Sequence, residues 1–379
     1  MMKYSLGLLA LSTAFLACSG TYYEVGDMGG SAGAGGTRGP AGGEAPDSAF
    51  AGSQPVGATG SGGTSSAGEG MPAGEFGPQC VPGGAPPQLA GQFAEPIVVW
   101  NRIAMLTWGK QVPPLYELPE TTSYIWAGDL TRAALVNARD TLGEVPGVET
   151  FLRQWLSLPA TVSFEEPWAE TVVTTKPILS ELLLTPLEDE GRVGIFSEPS
   201  FLTKYQLIST RGVAIERALF SVEIPAPPAN LENPPLDPNL PDRTALQAVT
   251  IQAPCAACHQ ILDQSGFALG RFAADGMYRE LDHGMPIDTT GKRLSGPAQR
   301  DFDGIADFGR QFAGSCEATL GFADQFLLAA MALNGVPEGD RYSLLEANRA
   351  RVEQAFVNDG RTYEAAVKAY IQSPAGLRP

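Results

Sequence analysis

From Ala94 onward the polar and apolar positions alternate with a helical period. "AEPIVVWNRIAMLTWG" carries Ile97, Trp100, Ile103, Ala104 and Trp108 along one face, and "VETFLRQWLSL" does the same with Phe151, Trp155 and Leu158. Gly109, Pro113, Pro114, Gly143, Pro146 and Pro159 punctuate these segments. A further helix is predicted over Ser209 to Phe220. "CEATLGFADQFLLAAMALNG" predicts a strong helix with Leu320, Phe326, Leu327, Ala330 and Met331 available for burial. Ser343 and Glu346 have capping-box spacing and open a helix over "SLLEANRARVEQAFVND"; a last one, "TYEAAVKAYIQS", stops at Pro374. "GMPIDTTGKRLSG" reads as turns with a short strand or hairpin. Long alternating strands are absent from the pattern, so the predicted fold class is mainly α.

Two stretches break the period. Residues 19–87 are dominated by Gly, Ala, Ser and Pro, as in "GGSAGAGGTRGPAGGEAPDSAF". They offer too little apolar surface to offset the entropy of ordering, so a flexible, disordered tether is expected. "IPAPPANLENPPLDPNLPD", Ile224 to Asp242, is rich in prolines that fit neither a helix interior nor a central strand. It predicts an extended crossover between a helical domain at 88–224 and a second helical body at 254–379, the crossover itself spanning 225–253.

The first residues, "MMKYSLGLLALSTAFLAC", have a charged start at Lys3 and an apolar run from Leu6 to Ala17. That run is too short to span a bilayer and has the form of a secretory signal over residues 1–17. Leu16-Ala17-Cys18 resembles a bacterial lipoprotein box, with Phe15 where Leu is usual, so Cys18 is the expected lipidation site. An ordinary signal peptide in which Cys18 is incidental is the other reading. No later segment is expected to reach transmembrane length. Export to a bacterial membrane follows, and Ser19 after the lipid points to the outer membrane, on its periplasmic or surface face.

A formal net charge of −17 argues against nucleic acid and against anionic membrane surfaces as partners. It fits an acidic surface that keeps an exported body dispersed.

The chain holds five cysteines and two histidines, and three of those seven fall in Cys255-Ala256-Ala257-Cys258-His259. On a helical turn, positions three and four apart share a face. Cys255 and Cys258 can then offer two sulfurs to the vinyl groups of one haem c, with His259 as proximal iron ligand. A thioredoxin-like dithiol needs a preceding strand, and a structural zinc site needs further paired ligands; neither context is present in the sequence. For the distal ligand Met285 is favoured, followed by His283, with Met277 and Met331 as further candidates and an open site as the alternative. Cys80 and Cys316 remain, and in an oxidising compartment they suggest one disulfide.

"PCAACHQILDQSGFALGRF" resembles the haem-binding stretch of a family of cytochrome-c-like proteins from planctomycetes and myxobacteria. Cys255, Cys258, His259, Asp263, Gly266, Phe267, Ala268, Leu269, Phe272, Gly276 and Arg279 fall on that pattern, and Ile287, Asp288 and Gly291 on a following I-D-x-x-G. "GIFSEPSFL", "RGVAIERALFSVEIPAPP" and "AAVKAYIQSPAGLR" extend the likeness from Pro96 to Pro379. Gln264, Gly270 and Ala273 depart from it where Pro, Glu and Asp are usual. Ser221 stands where relatives carry Cys, which makes a Cys80 partner for Cys316 more attractive or leaves Cys316 free. The resemblance implies a cytochrome-c-like haem domain at 254–379, whose family activity is inferred electron transfer.

The expectation is therefore an exported lipoprotein with one covalent haem c, serving one-electron transfer with a redox partner protein. A redox enzyme, or an electron-supplying subunit of one, is the first alternative. A surface structural or binding lipoprotein is the second.

Overall fold

Helix-compatible periodicity, caps and proline stops lay out the elements of the computed structural model, which describes residues 93–143, 145–173, 175–188, 191–224, 235–252, 255–295 and 298–378. In chain order they are α1 (Pro96–Thr107), α2 (Tyr124–Leu142), α3 (Pro146–Trp155), α4 (Trp168–Val172), α5 (Ile178–Leu184), α6 (Pro199–Lys204), α7 (Ile208–Phe220), α8 (Asp242–Thr250) and α9 (Ala256–Phe267). Two hairpins follow, β1–β2 (Leu281–Asp282, Met285–Pro286) and β3–β4 (Thr290–Ser295, Ala298–Asp303), each a two-stranded antiparallel pair. Then come α10 (Gly304–Phe312), α11 (Cys316–Leu333), α12 (Glu338–Asn358), α13 (Tyr363–Ile371) and α14 (Pro374–Leu377). The fold is mainly α.

Local chemistry sets the boundaries. Proline opens α1, α3, α6 and α14 in the first turn, where its missing N–H costs nothing. Ser123, Ser315, Thr362 and Ser373 cap α2, α11, α13 and α14 by accepting a backbone N–H. The expected start of the long helix at Ser343 is corrected: α12 begins after Pro337, with Glu338 and Asp340 in its first turn. Acidic side chains favour the positive end of a helix, and Ser343 lies inside α12, where it donates to Asp340 O at 2.9 Å.

One hydrophobic core runs from Ala94 to Leu377 and draws on helices from both sides of the Pro-rich segment. Phe151 of α3 lies 4.7 Å from Phe326 of α11, and Trp155 lies 5.3 Å from Phe322. Phe220 of α7 meets Phe312 of α10 edge to face. Trp100, Ile103 and Ala104 are buried as the pattern predicts, but Ile97 is exposed, because the buried arc of α1 is centred on Val99, Ile103 and Leu106. Leu320 is only half-buried, because α11 turns Phe322, Ala323, Phe326, Leu327 and Ala330 inward. α11 is also long and apolar enough to cross a membrane by length and composition, which corrects the expectation that no later segment reaches that length. Its apolar side chains are spent on the core.

A buried acidic pair lies between α11 and α12. Arg349 Nη2 reaches Asp324 Oδ2 at 2.9 Å, and the neighbouring Glu353 is pushed up to about 7 by burial and then by the Asp324 carboxylate, against the pull of Arg349. A carboxyl raised in the folded state binds more proton there than in the unfolded chain, so stability falls as pH rises from 4.5, the ordinary value, to about 7. Glu353→Gln should flatten that slope. Urea midpoints at pH 5 and pH 8 check it; identical pH dependence in both proteins would refute it.

The signal-like segment, Cys18, the Gly/Ser/Pro-rich stretch, Cys80 and residues 225–234 of the crossover lie outside the described residues. Cys316 is disulfide-bonded, whereas Cys255 and Cys258 are free thiols.

Candidate functional site

The motif already has helical backbone at Cys255 (φ −65°, ψ −37°), and the N–H of His259 bonds back to Cys255 O at 3.1 Å. Cys255, Cys258 and His259 therefore share the first turn of α9, with Cys255 half-buried, Cys258 exposed and His259 half-buried.

What positions this turn is a close crossing of α9 on α7. A Cβ on Gly212 would stand 1.8 Å from Leu262 O, and one on Gly266 would stand 2.1 Å from Ile208 O. Only glycine lets the two backbones approach this closely. The same approach carries Ser209, near the start of α7, to the middle of α9. Ser209 Oγ donates to Asp263 Oδ1 at 2.6 Å, and His259 Nδ1 lies 3.0 Å from Asp263 Oδ1 and 3.2 Å from Oδ2. Thr250 Oγ1, at the end of α8, is 3.3 Å from Asp263 Oδ2 and 3.0 Å from Leu246 O. Asp263 is almost fully buried, at 3% exposure. Against an ionised Asp263, which only accepts, a neutral His259 would carry its proton on Nδ1 and keep a lone pair on Nε2. Nε2 has no hydrogen-bond partner among the described residues.

Three large apolar side chains close to these residues in sequence are exposed. Leu207 is 59% exposed just before Ser209, Ile251 is 74% exposed beside Thr250, and Ile261 is 50% exposed on α9 itself. Among the described residues no three His, Cys, Asp or Glu side chains converge to hold a bare ion. Two thiols and one imidazole nitrogen on one turn form the donor set that a metal-centred macrocycle would use.

The other predicted ligands lie elsewhere. His283 and Gly284 form the two-residue turn of the β1–β2 hairpin, both with positive φ. Both His283 nitrogens are engaged, Nδ1 with Asp282 Oδ1 and Nε2 with Pro238 O, each at 2.9 Å. The Pro238 carbonyl, followed by Asp282, raises the His283 pKa. Met285 pairs across the hairpin with Asp282, and Asp282 accepts the backbone N–H of Asp242, the first residue of α8. The hairpin is therefore anchored at one end of the nine-residue α8 and the His259–Asp263 group at the other. Cys255, Cys258 and His259 share one helical turn, and Met285 lies on the β1–β2 hairpin. Met331 is wholly buried in α11 and Met277 is exposed in a loop.

Residues of the I-D-x-x-G stretch support the back of α9. Arg243 of α8 donates to Asp288 O and Thr290 O at 3.1 and 2.6 Å, and its guanidinium lies 3.9 Å from the centre of the Phe267 ring. Arg211 of α7, 1% exposed, reaches backward to Tyr205 O and across to Leu269 O, Phe272 O and Ala273 O. Burial, with Arg279 nearby, lowers its pKa to about 10. Sequence reading missed Arg211 and Ser209 as partners of the motif. Helical spacing (i, i+4) could have paired Asp263 with His259, but nothing local links α7 to α9.

A family model named PSCyt3, described as a protein of unknown function (DUF1588), matches residues 192–282. No curated protein and no solved structure matches the chain. The matched stretch takes in α6 to α9, hence Ser209, Thr250, Cys255, Cys258, His259 and Asp263 together, and ends at Asp282, short of Met285. The middle of this chain is similar to that domain of unknown function.

Proposed function

We propose that the chain is an exported lipoprotein that holds one haem c through Cys255 and Cys258, with His259 as axial ligand, and exchanges single electrons with a partner protein. The observation that carries this reading is the state of His259. Its Nδ1 is tied to a buried carboxylate while Nε2 has no hydrogen-bond partner among the described residues, and two free thiols lie on the same helical turn. A metal-ligating histidine commonly has its other nitrogen tied in this way.

When bound, the haem supplies reversible one-electron chemistry at its iron. The protein's part is to hold and shield it. Cys255 and Cys258 would fix the ring edge, and Asp263 and Ser209 fix the His259 ring plane and tautomer. Leu207, Ile251 and Ile261 supply apolar surface that loses its contact with water when covered, each contributing on the order of 1 kcal/mol or more. His259 would hold the iron from one side, and lipid at Cys18 would tie the body to a bacterial membrane.

Covalent haem survives denaturing electrophoresis, so the test is haem staining of protein matured in an exporting, cytochrome-c-competent host. A stained band at the mature mass is expected, weakened by Cys255→Ala or Cys258→Ala and absent from the double variant. An unstained wild-type band overturns the proposal in favour of a structural or binding lipoprotein.

A further inference from the structure

Asp263 is a carboxylate in an unusual position. It is almost wholly buried, yet its ion-pair partner among the described residues is a histidine and not Lys or Arg. Its remaining neighbours are hydroxyls. Ser209 commits its single proton to Oδ1 at 2.6 Å. Thr250 has one proton for two acceptors, and Leu246 O at 3.0 Å is nearer than Asp263 Oδ2 at 3.3 Å. His259 Nδ1, 3.0 Å from Oδ1 and 3.2 Å from Oδ2, faces both oxygens, and Thr250 offers Oδ2 only a shared proton. In a site of low dielectric such a charge acts strongly on the nearest donor, because little water screens it.

From this we infer that Asp263 is a positioning residue that polarises the Nδ1–H bond of His259, makes its Nε2 a more strongly donating ligand, and thereby holds the iron potential low. The inference rests on the reading of His259 as axial ligand and adds a direction to it. A neutral acceptor, such as a backbone carbonyl, would fix the ring without this charge. A full carboxylate shifts electron density into the ring, and that density stabilises Fe(III) over Fe(II). The equilibrium concerned is Fe(III) plus one electron giving Fe(II), so a stabilised ferric state makes the protein harder to reduce. Ser209 tempers the effect: its hydroxyl competes for the same carboxylate. Removing Asp263's charge and removing Ser209's hydroxyl should therefore move the potential in opposite directions, which a purely structural role for either residue does not predict.

Spectroelectrochemical titration of the stained holoproteins, with soluble mediators, tests this. Asp263→Asn keeps an acceptor for Nδ1–H but removes the charge, and should favour the ferrous form ten- to a hundredfold. At 59 mV per tenfold for one electron, that is a rise of about 60–120 mV. Ser209→Ala should shift the potential downward by less than a tenfold change. In the haem-free Cys255→Ala/Cys258→Ala chain, nitrogen-15 NMR of neutral His259 should place the ring proton on Nδ1. A stained Asp263→Asn protein with an unchanged or lower potential overturns the inference and leaves the haem site standing. If that variant fails to keep haem, Ser209→Ala decides: a lower potential supports the inference, and an equal or higher one overturns it. A proton found on Nε2 also overturns it. An unstained wild type overturns both the inference and the reading beneath it.

Discussion

Gly212→Ala is expected to cost the folded state roughly 4 kcal/mol or more, a melting temperature lower by about 10 °C. The added methyl would sit 1.8 Å from Leu262 O, 2.7 Å from Leu262 C and 3.2 Å from Gly266 N. All three are backbone atoms inside a helix, so no side chain can swing aside. The helices must separate by something over 1 Å, and that separation opens the Gly266 contact, the Ser209–Asp263 bond and the packing of Leu262 together. Alanine's better helix propensity returns at most about 1 kcal/mol. Gly339→Ala is the control, because nothing lies within 4 Å of a Cβ there; it should leave the melting temperature unchanged or slightly raised. Equal melting temperatures for the two variants would show that the crossing is looser than described.

Arg211→Met should destabilise by about 3–5 kcal/mol, and Arg211→Lys should recover little of it. The guanidinium is buried and serves backbone carbonyls from three directions: Tyr205 O at 2.8 Å, Phe272 O at 2.6 Å, Ala273 O at 2.7 Å and Leu269 O at 3.2 Å. Met fills much of the volume but leaves those acceptors dry, at about 1–3 kcal/mol for each one that finds no other donor. Some have one: Leu269 O also receives Phe272 N–H, and Ala273 O receives Gly276 N–H. Tyr205 O and Phe272 O then set the loss. Lysine offers a single ammonium where a planar fork spans two sides. Chemical denaturation of the three proteins measures the ordering; full rescue by lysine would sink the account.

These two neighbours also mark where sequence stops being informative. The period of apolar residues locates α1, α3, α7, α11 and α13 because each buries a stripe, and stripes are local. The thiols and imidazole of α9 are legible for the same reason, since Cys255, Cys258 and His259 lie on one turn. In α12, Ser343 and Glu346 imitate a cap five residues inside the helix, whereas Pro337 and the acidic first turn govern the start. The support of His259 is not local. Ser209 comes fifty residues earlier and reaches Asp263 only through the glycine crossing, and a glycine in sequence does not say which backbone it admits. The pairing of Met285 with Asp282 and the tie of Asp282 to the start of α8 are likewise set by hairpin register and are not legible locally.

The two ends of the described body are clasped. Ala94 N–H bonds to Leu377 O at 2.6 Å, Arg102 donates to Gly376 O and Arg378 O, and Tyr363 donates to Leu106 O across 257 positions. A contact of that span closes a very large loop, and its formation is slow relative to the local helices. During synthesis α1 therefore cannot make these contacts until α13 and α14 have been added.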